Sequence, residues 1–306
     1  MSFTSSGAVP TGHPSCPLDT KHGRLEMTFS LNSEGTSILS HLYRKVPMIV
    51  QQALYFDEYL PTLPCVYILS SGGPTLEGDH YSVGVELEAD TMAHISTGAA
   101  TLIASMEGGM AEMHQHISLH SGAYLEWLPQ PLIPGAGSHY RSSTRVTIAE
   151  GATLFWSEVV ACGRRYSGER FDYRRLELST TIERPNKQLL VCEALALEPR
   201  RRSPEEWALL GGFSHFASIV VISPEEHSRR LYDALGAIRR PDLEMSPSLL
   251  QNGCGLAIRA LANGSEPLLG LIRQLCSRVR QEIKGVPLQS EFPWRGGATT
   301  HNNLTL

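Results

Sequence analysis

Apolar and polar positions alternate along much of this chain with a period of two, the signature of half-buried β-strands. The clearest case spans residues 81–88, where Val83, Val85 and Leu87 oppose Ser82, Gly84 and Glu86. Residues 65–69 (Cys65-Val66-Tyr67-Ile68-Leu69) form a continuous apolar run that fits a fully buried strand, closed by Ser70-Ser71-Gly72-Gly73-Pro74. Residues 22–30 and 36–42 read as opening strands around an Asn32-Ser33-Glu34-Gly35 turn, and residues 46–50 and 53–56 carry the chain onward. Segments 117–119, 145–148 and 175–181 continue the style, with Gly or Pro turns between them, so the body is mainly β.

One short unit is used repeatedly. Ser121-Gly122-Ala123-Tyr124-Leu125-Glu126-Trp127 returns as Glu150-Gly151-Ala152-Thr153-Leu154-Phe155-Trp156, with the two glycines 29 residues apart. A weaker echo, Ala89-Asp90-Thr91-Met92-Ala93-His94-Ile95, places Asp90 at the turn position 32 residues before Gly122. Three turn-plus-strand units at this period predict a stacked, helically ordered β scaffold, because each unit can bury its apolar face only against its neighbours.

Helical patterns come late. Ser223-Pro224-Glu225-Glu226 reads as an N-cap, a proline at N1 and an acidic first turn, opening a helix that runs to Leu235 and stops at Gly236. A second helix fits residues 266–284, with Leu268, Leu271, Ile272, Leu275, Val279 and Ile283 on one face and Gly285 past its end.

The composition, 306 residues with 42% hydrophobic and 19% charged, is that of a globular chain long enough for a large core. A net charge of −5 without a long basic run leaves no footprint for nucleic acid, and Arg200-Arg201-Arg202 reads as a solvated loop. No apolar run approaches the ~18 residues of a membrane span. Six scattered cysteines without a C-x-x-C pair suit a reducing cytosol, and the polar, Ser/Pro/Gly-containing start shows no signal peptide, so a cytoplasmic location is expected. That start, with His13 and Cys16, is expected to be a flexible tail over residues 1–21. A second tail is expected over 286–306, and a single β-rich domain over 22–285.

Several chemistries are excluded by inspection. G-x-x-x-x-G-K-[ST], G-x-S-x-G and H-E-x-x-H are all missing, and Gly135-Ala136-Gly137 lacks the third glycine of a dinucleotide fingerprint. What remains is a scatter of carboxylates, imidazoles and thioethers. In an extended strand His114 and His116 fall on one face, able to grip Ni²⁺, Cu²⁺ or Zn²⁺, or simply forming the polar outer face of a strand that follows an irregular loop. Asp79-His80 after Gly78 is either ligand chemistry or a turn whose Asp bonds its own backbone. Glu158 lies two residues beyond Trp156 in an apolar run, and a carboxylate there needs a partner, for which Arg164 is the nearest candidate in sequence.

Ser70-Ser71-Gly72-Gly73-Pro74-Thr75-Leu76-Glu77-Gly78-Asp79, then Leu125-Glu126-Trp127-Leu128-Pro129-Gln130-Pro131-Leu132-Ile133-Pro134, then Glu158 with Gly163-Arg164 and Gly168-Glu169-Arg170-Phe171, closely resemble the urease accessory protein UreD (UreH) family. The likeness runs from about residue 22 to 285 and includes residues 246–261 (SPSLLQNGCGLAIRAL). It implies a non-enzymatic, cytosolic nickel-delivery chaperone that binds UreF, through it the GTPase UreG, and docks on apo-urease to pass on Ni²⁺ held only transiently. It implies also an internal path lined by acidic groups, with Asp79, Glu158, Glu169, Glu177 and Glu193 as candidates here and His80, His114 and His116 as weaker ones. Two departures from the family pattern stand out: Glu77 occupies a position where many members carry glycine, and residues 104–109 replace an aromatic and basic stretch.

Sparse carboxylates with no dense Cys/His cluster favour passage of an ion over its storage, since hard oxygen ligands bind weakly and exchange fast. Two rival readings are a pure protein–protein adaptor that never touches metal and a β-helix carbohydrate-active enzyme with Glu126 and Glu158 as its acid and base.

Overall fold

The computed structural model describes residues 20–206 and 210–289. Most of the two expected tails, with His13, Cys16 and Gly296-Gly297, lies outside the described residues. Strands β1 (His22–Leu31), β2 (Ser37–Lys45), β3 (Met48–Ile49) and β4 (Cys65–Ser70) open the fold. The repeating part follows as β5 (His80–Leu87), β6 (Met92–Thr97), β7 (Thr101–Ile103), β8 (Ala111–Leu119), β9 (Tyr124–Leu128), β10 (Leu132–Pro134), β11 (His139–Ile148), β12 (Thr153–Ala161) and β13 (Arg175–Glu183). The chain closes with β14 (Leu189–Leu197), β15 (His215–Ile222), α1 (Glu225–Ala234), β16 (Ile238–Arg239), β17 (Leu243–Leu249), β18 (Gly255–Ala262) and α2 (Ser265–Lys284).

The strands form two large sheets. The first has the order β14-β13-β11-β8-β5-β1-β2, and the second runs β16-β17-β18-β15-β12-β9-β6-β4-β3. In the repeating part each coil gives one strand to each sheet, and like strands pair in parallel: β5 with β8, β8 with β11, β6 with β9, β9 with β12. The short β7 and β10 pair in parallel at the turn of the coil.

The sequence repeat is this coil. Met92, Tyr124 and Thr153 stand in register on β6, β9 and β12, so the 32- and 29-residue intervals each amount to one turn of the stack. Asp90, Gly122 and Gly151 occupy the turn before each strand, all in the left-handed region, with φ of 60°, 72° and 77°. Tight stacking makes glycine necessary at 122, because a Cβ there would overlap Asp90 Oδ1. Trp127 and Trp156, one coil apart, stack with centroids 5.1 Å apart between the sheets.

The two sheets differ in pattern for a physical reason. The first covers the core with one face only, so β5 alternates strictly, with Tyr81, Val83, Val85 and Leu87 buried. The second is sandwiched between the first sheet and the helices, and Tyr124 to Trp127 and Thr153 to Ser157 are buried on both faces. On β4 the burial is less complete than the apolar run implies: Cys65, Val66 and Ile68 are buried, while Tyr67 and Leu69 keep some exposure.

Helix α2 lays Leu268, Leu271, Ile272, Leu275 and Val279 on the outer face of the second sheet, and Gly285 ends it at φ 75°. Burying five such side chains contributes roughly 7–15 kcal/mol as an upper bound. Helix α1 begins one residue later than its sequence implies. Pro224 takes the N-cap position, while the Ser223 hydroxyl pairs with Ser228 Oγ at 2.8 Å instead of capping.

Candidate functional site

Between the sheets, near the strands that end the stack, lies a cavity of about 400 Å³ whose polar lining is Glu158, Thr180, Glu193, Ser218 and Arg259. Glu158 of β12 forms its inner wall and also lines a second cavity of about 90 Å³, which holds Gln115, Tyr140, Ser142 and Ser157. Pro129 and Gln130, at the end of β9, connect that space with a third of about 40 Å³ beside His94, Ser96 and α2. The three spaces adjoin one another through shared lining residues, and Glu158 is the residue common to the two larger ones.

The surface Glu158 retains faces these cavities, and it has no hydrogen bond or ion pair to any described residue. Burial first, and the charge of Glu193 second, push its carboxyl up to about 7. Arg164 is not its partner, contrary to the sequence expectation. Arg164 turns away on the loop after β12 and forms a two-pronged pair with Glu169, because a residue five positions along the same loop is within easy reach. Glu193, on β14, accepts from Ser218 Oγ at 3.1 Å and pairs with Arg259 at the cavity's edge.

The remaining candidates are engaged elsewhere. Asp79 is fully buried, and its carboxylate accepts from Lys21 N (2.9 Å), Leu76 N (2.8 Å) and Tyr81 Oη (2.8 Å), with Lys21 Nζ 3.0 Å away. Burial pushes that carboxyl up, but these donors outweigh it and hold it below its usual value. It anchors the turn after Gly78. Glu169 is held low by Arg164 and accepts from Ala136 N at 2.9 Å. Glu177 sits among His139 (3.0 Å), Arg141 (3.2 Å) and Arg175 (2.9 Å), which overcome the effect of burial and keep it ionised. These side chains belong to the polar outer face of the first sheet, as do His80, stacked on His22 at 5.4 Å, His114, bonded to Ser143 Oγ at 2.7 Å, and exposed His116. The segment before β8 is an irregular loop. Among the described residues no three His, Cys, Asp or Glu side chains gather as a metal site.

Glu77 and the loop over residues 104–109 meet in space. Glu77 accepts from the backbone N–H groups of Glu107 (2.7 Å), Gly108 (3.3 Å) and Gly109 (2.6 Å), so this carboxylate organises that loop.

A second polar centre escaped sequence reading. Arg280 of α2 is fully buried and grips Glu126 with Nε and Nη2 at 2.7 Å each, while Nη1 pairs with buried Asp57. Glu126 also accepts from Tyr124 Oη and from His94 Nδ1, both at 2.7 Å. Burial opposes its ionisation, but the Arg280 charge and the His94 and Arg280 hydrogen bonds hold its carboxyl far below the ordinary range. A sequence signal existed, since Ile272, Cys276 and Arg280 recur every four residues on the apolar face of α2. Glu126 thus points outward to α2 whereas Glu158 points inward to the cavities. Two carboxylates on opposite faces of one sheet cannot flank one glycosidic bond, and the carbohydrate-enzyme reading fails on geometry.

These features define a class: a coiled two-sheet scaffold with a helical flank and adjoining internal cavities, the two larger of which share one unpaired carboxylate. The chain belongs to the UreD urease accessory protein family, whose model matches residues 21–295. It is 36% identical over 278 residues to urease accessory protein UreD 2 of Brucella suis, covering 90% of this chain and 92% of the relative. It is equally identical over 280 residues to UreD 3 of Methylorubrum populi, covering 90% of each, and 35% identical to UreD 2 of Methylorubrum extorquens with the same coverage. Among the described residues no helix is long and apolar enough to cross a membrane.

Proposed function

We propose that this chain serves urease maturation in the cytoplasm as a non-catalytic scaffold that joins UreF, and through it the GTPase UreG, to apo-urease and passes Ni²⁺ along its internal cavities. The observation that carries the reading is Glu158 standing unpaired where the two larger cavities meet. With its carboxyl up at about 7, it can exchange a proton for a cation near neutral pH. Ser218, Gln115 and Gln130 add neutral oxygen groups in the adjoining spaces, with Glu193 held by Arg259 at the edge, a sparse hard-donor set that favours weak binding and quick release. Ni²⁺ here is cargo.

A pure adaptor is the second reading, and one observation favours it: Asp79, Glu169 and Glu177 are all neutralised by Lys or Arg and have little capacity left for a metal. The two readings separate on Glu158→Gln. In co-expression with the urease subunits and accessory partners, passage requires that the complex still co-purify while nickel per active site falls severalfold. Full nickel content in that variant leaves the adaptor.

A further inference from the structure

The loop joining β12 to β13 has a feature that neither the core nor the set of cavities uses. Residues 162–171 fold back on themselves: Phe171 N donates to Cys162 O at 2.7 Å, Arg164 clamps Glu169, and the tip is a 3₁₀ turn over Arg165–Ser167. Three residues of this loop, Gly163, Gly168 and Phe171, have positive φ, and a non-glycine there costs on the order of 1 kcal/mol. At the tip Tyr166 is fully exposed, with no hydrogen bond or ring contact to any described residue. A braced loop that carries strain and presents an uncovered tyrosine is the form of an interface anchor, because the ring brings large contact area and its position is already fixed.

The charge around it indicates what it meets. Residues 162–175 and 198–206, tied together by Arg170–Glu205 and Arg175–Glu198, carry eight arginines against five acidic side chains, an excess of three positive charges on a chain of net −5. Arg200 is exposed and makes no ion pair with the described residues, and Arg165 donates only to the neutral Asn263 carbonyl at 2.7 Å. Asn263 follows β18, whose Arg259, Ala260 and Leu261 line the cavity of about 400 Å³, so the carbonyl that Arg165 holds lies about 7 Å along the strand from the last lining residue.

We infer that the Arg165–Ser167 turn is a docking knob, with Tyr166 as the anchor and the surrounding arginines as its steering field, for an acidic face of apo-urease. The choice of apo-urease rests on the proposed function, since the partner held here is the one positioned beside the cavity.

Binding of purified apo-urease to the full chain, measured by calorimetry at two salt concentrations, tests it. Tyr166→Ala is expected to weaken binding about thirtyfold, the scale of an interface hot spot, with an unchanged melting temperature. Tyr166→Phe should retain most of the affinity. Arg200→Glu should weaken binding further and flatten its salt dependence. An affinity of Tyr166→Ala within twofold of the unsubstituted chain overturns the inference. So does a loss confined to self-association, to nucleic acid or to another accessory protein. If Glu158→Gln loads nickel normally while Tyr166→Ala still loses affinity, the passage reading falls and the knob stands; the opposite pair of results removes the knob and leaves passage.

Discussion

Replacing Arg280 by Met is the most demanding test of how the helical flank is held. The guanidinium makes three side-chain bonds, two to Glu126 and one to Asp57, and all three groups are buried. Methionine fills a similar volume, so the loss comes chiefly from two carboxylates left without their cation. Removing one member of a buried pair costs about 3–5 kcal/mol, and two stranded carboxylates place this site at the upper end. For a chain of this size that corresponds to a melting point lower by roughly 6–15 °C. Urea denaturation measures the loss, and hydrogen exchange of the α2 amides locates it. Adding Glu126→Gln should return part of the stability, giving a coupling energy of about 1–3 kcal/mol in the double-mutant cycle. Arg280→Lys should rescue little, because an ammonium cannot present the planar fork. The sign with pH is fixed as well. The Glu126 carboxyl is depressed in the fold, so its contribution is complete above the ordinary carboxylate value of about 4 and fades as pH falls below it. The stability gap between the native chain and Glu126→Gln must therefore narrow in acid. An Arg280→Met loss under 1 kcal/mol, or a gap that widens in acid, would refute the reasoning.

Three further outcomes follow from other parts of the fold. Gly122→Ala should destabilise by more than 2 kcal/mol, since its Cβ meets Asp90, whereas Gly151→Ala, with its nearest neighbour 3.8 Å away, should cost only the ~1 kcal/mol of a left-handed alanine; paired denaturation curves decide. Glu158 is raised rather than depressed, so its contribution is full below about pH 4 and is lost as pH climbs to about 7; Glu158→Gln should gain stability relative to the native chain between pH 5 and 8 in pH-dependent melts. Glu77→Ala should leave the fold intact but speed hydrogen exchange at the amides of Glu107 and Gly109, read by mass spectrometry.

The stack was legible because its cause is local and periodic. Asp90, Gly122 and Gly151 each impose a left-handed turn, and the residues after them alternate against a shared core, so the repeat in sequence is the repeat in space. The same locality accounts for α2 and its glycine cap. What was illegible depends on distance along the chain: Glu126 and Arg280 are 154 residues apart, and nothing near Glu126 announces a cation. Nearness in sequence misled at Arg164, which had Glu169 closer at hand than Glu158. The adjoining cavities could not be read from composition, because Gln130 and Glu158 become neighbours of the same space only after two coils are superposed.

The first sheet has a parallel interior, but its two outermost pairings, β1 with β2 and β13 with β14, are antiparallel, and each carries a register shift. Such irregular borders twist a ribbon's rim away from the geometry another strand would need. A coil of this kind is otherwise prone to grow end on end into fibres. Here both rims of the first sheet are irregular, so edge-to-edge growth from that sheet is disfavoured and association is directed to loops and faces.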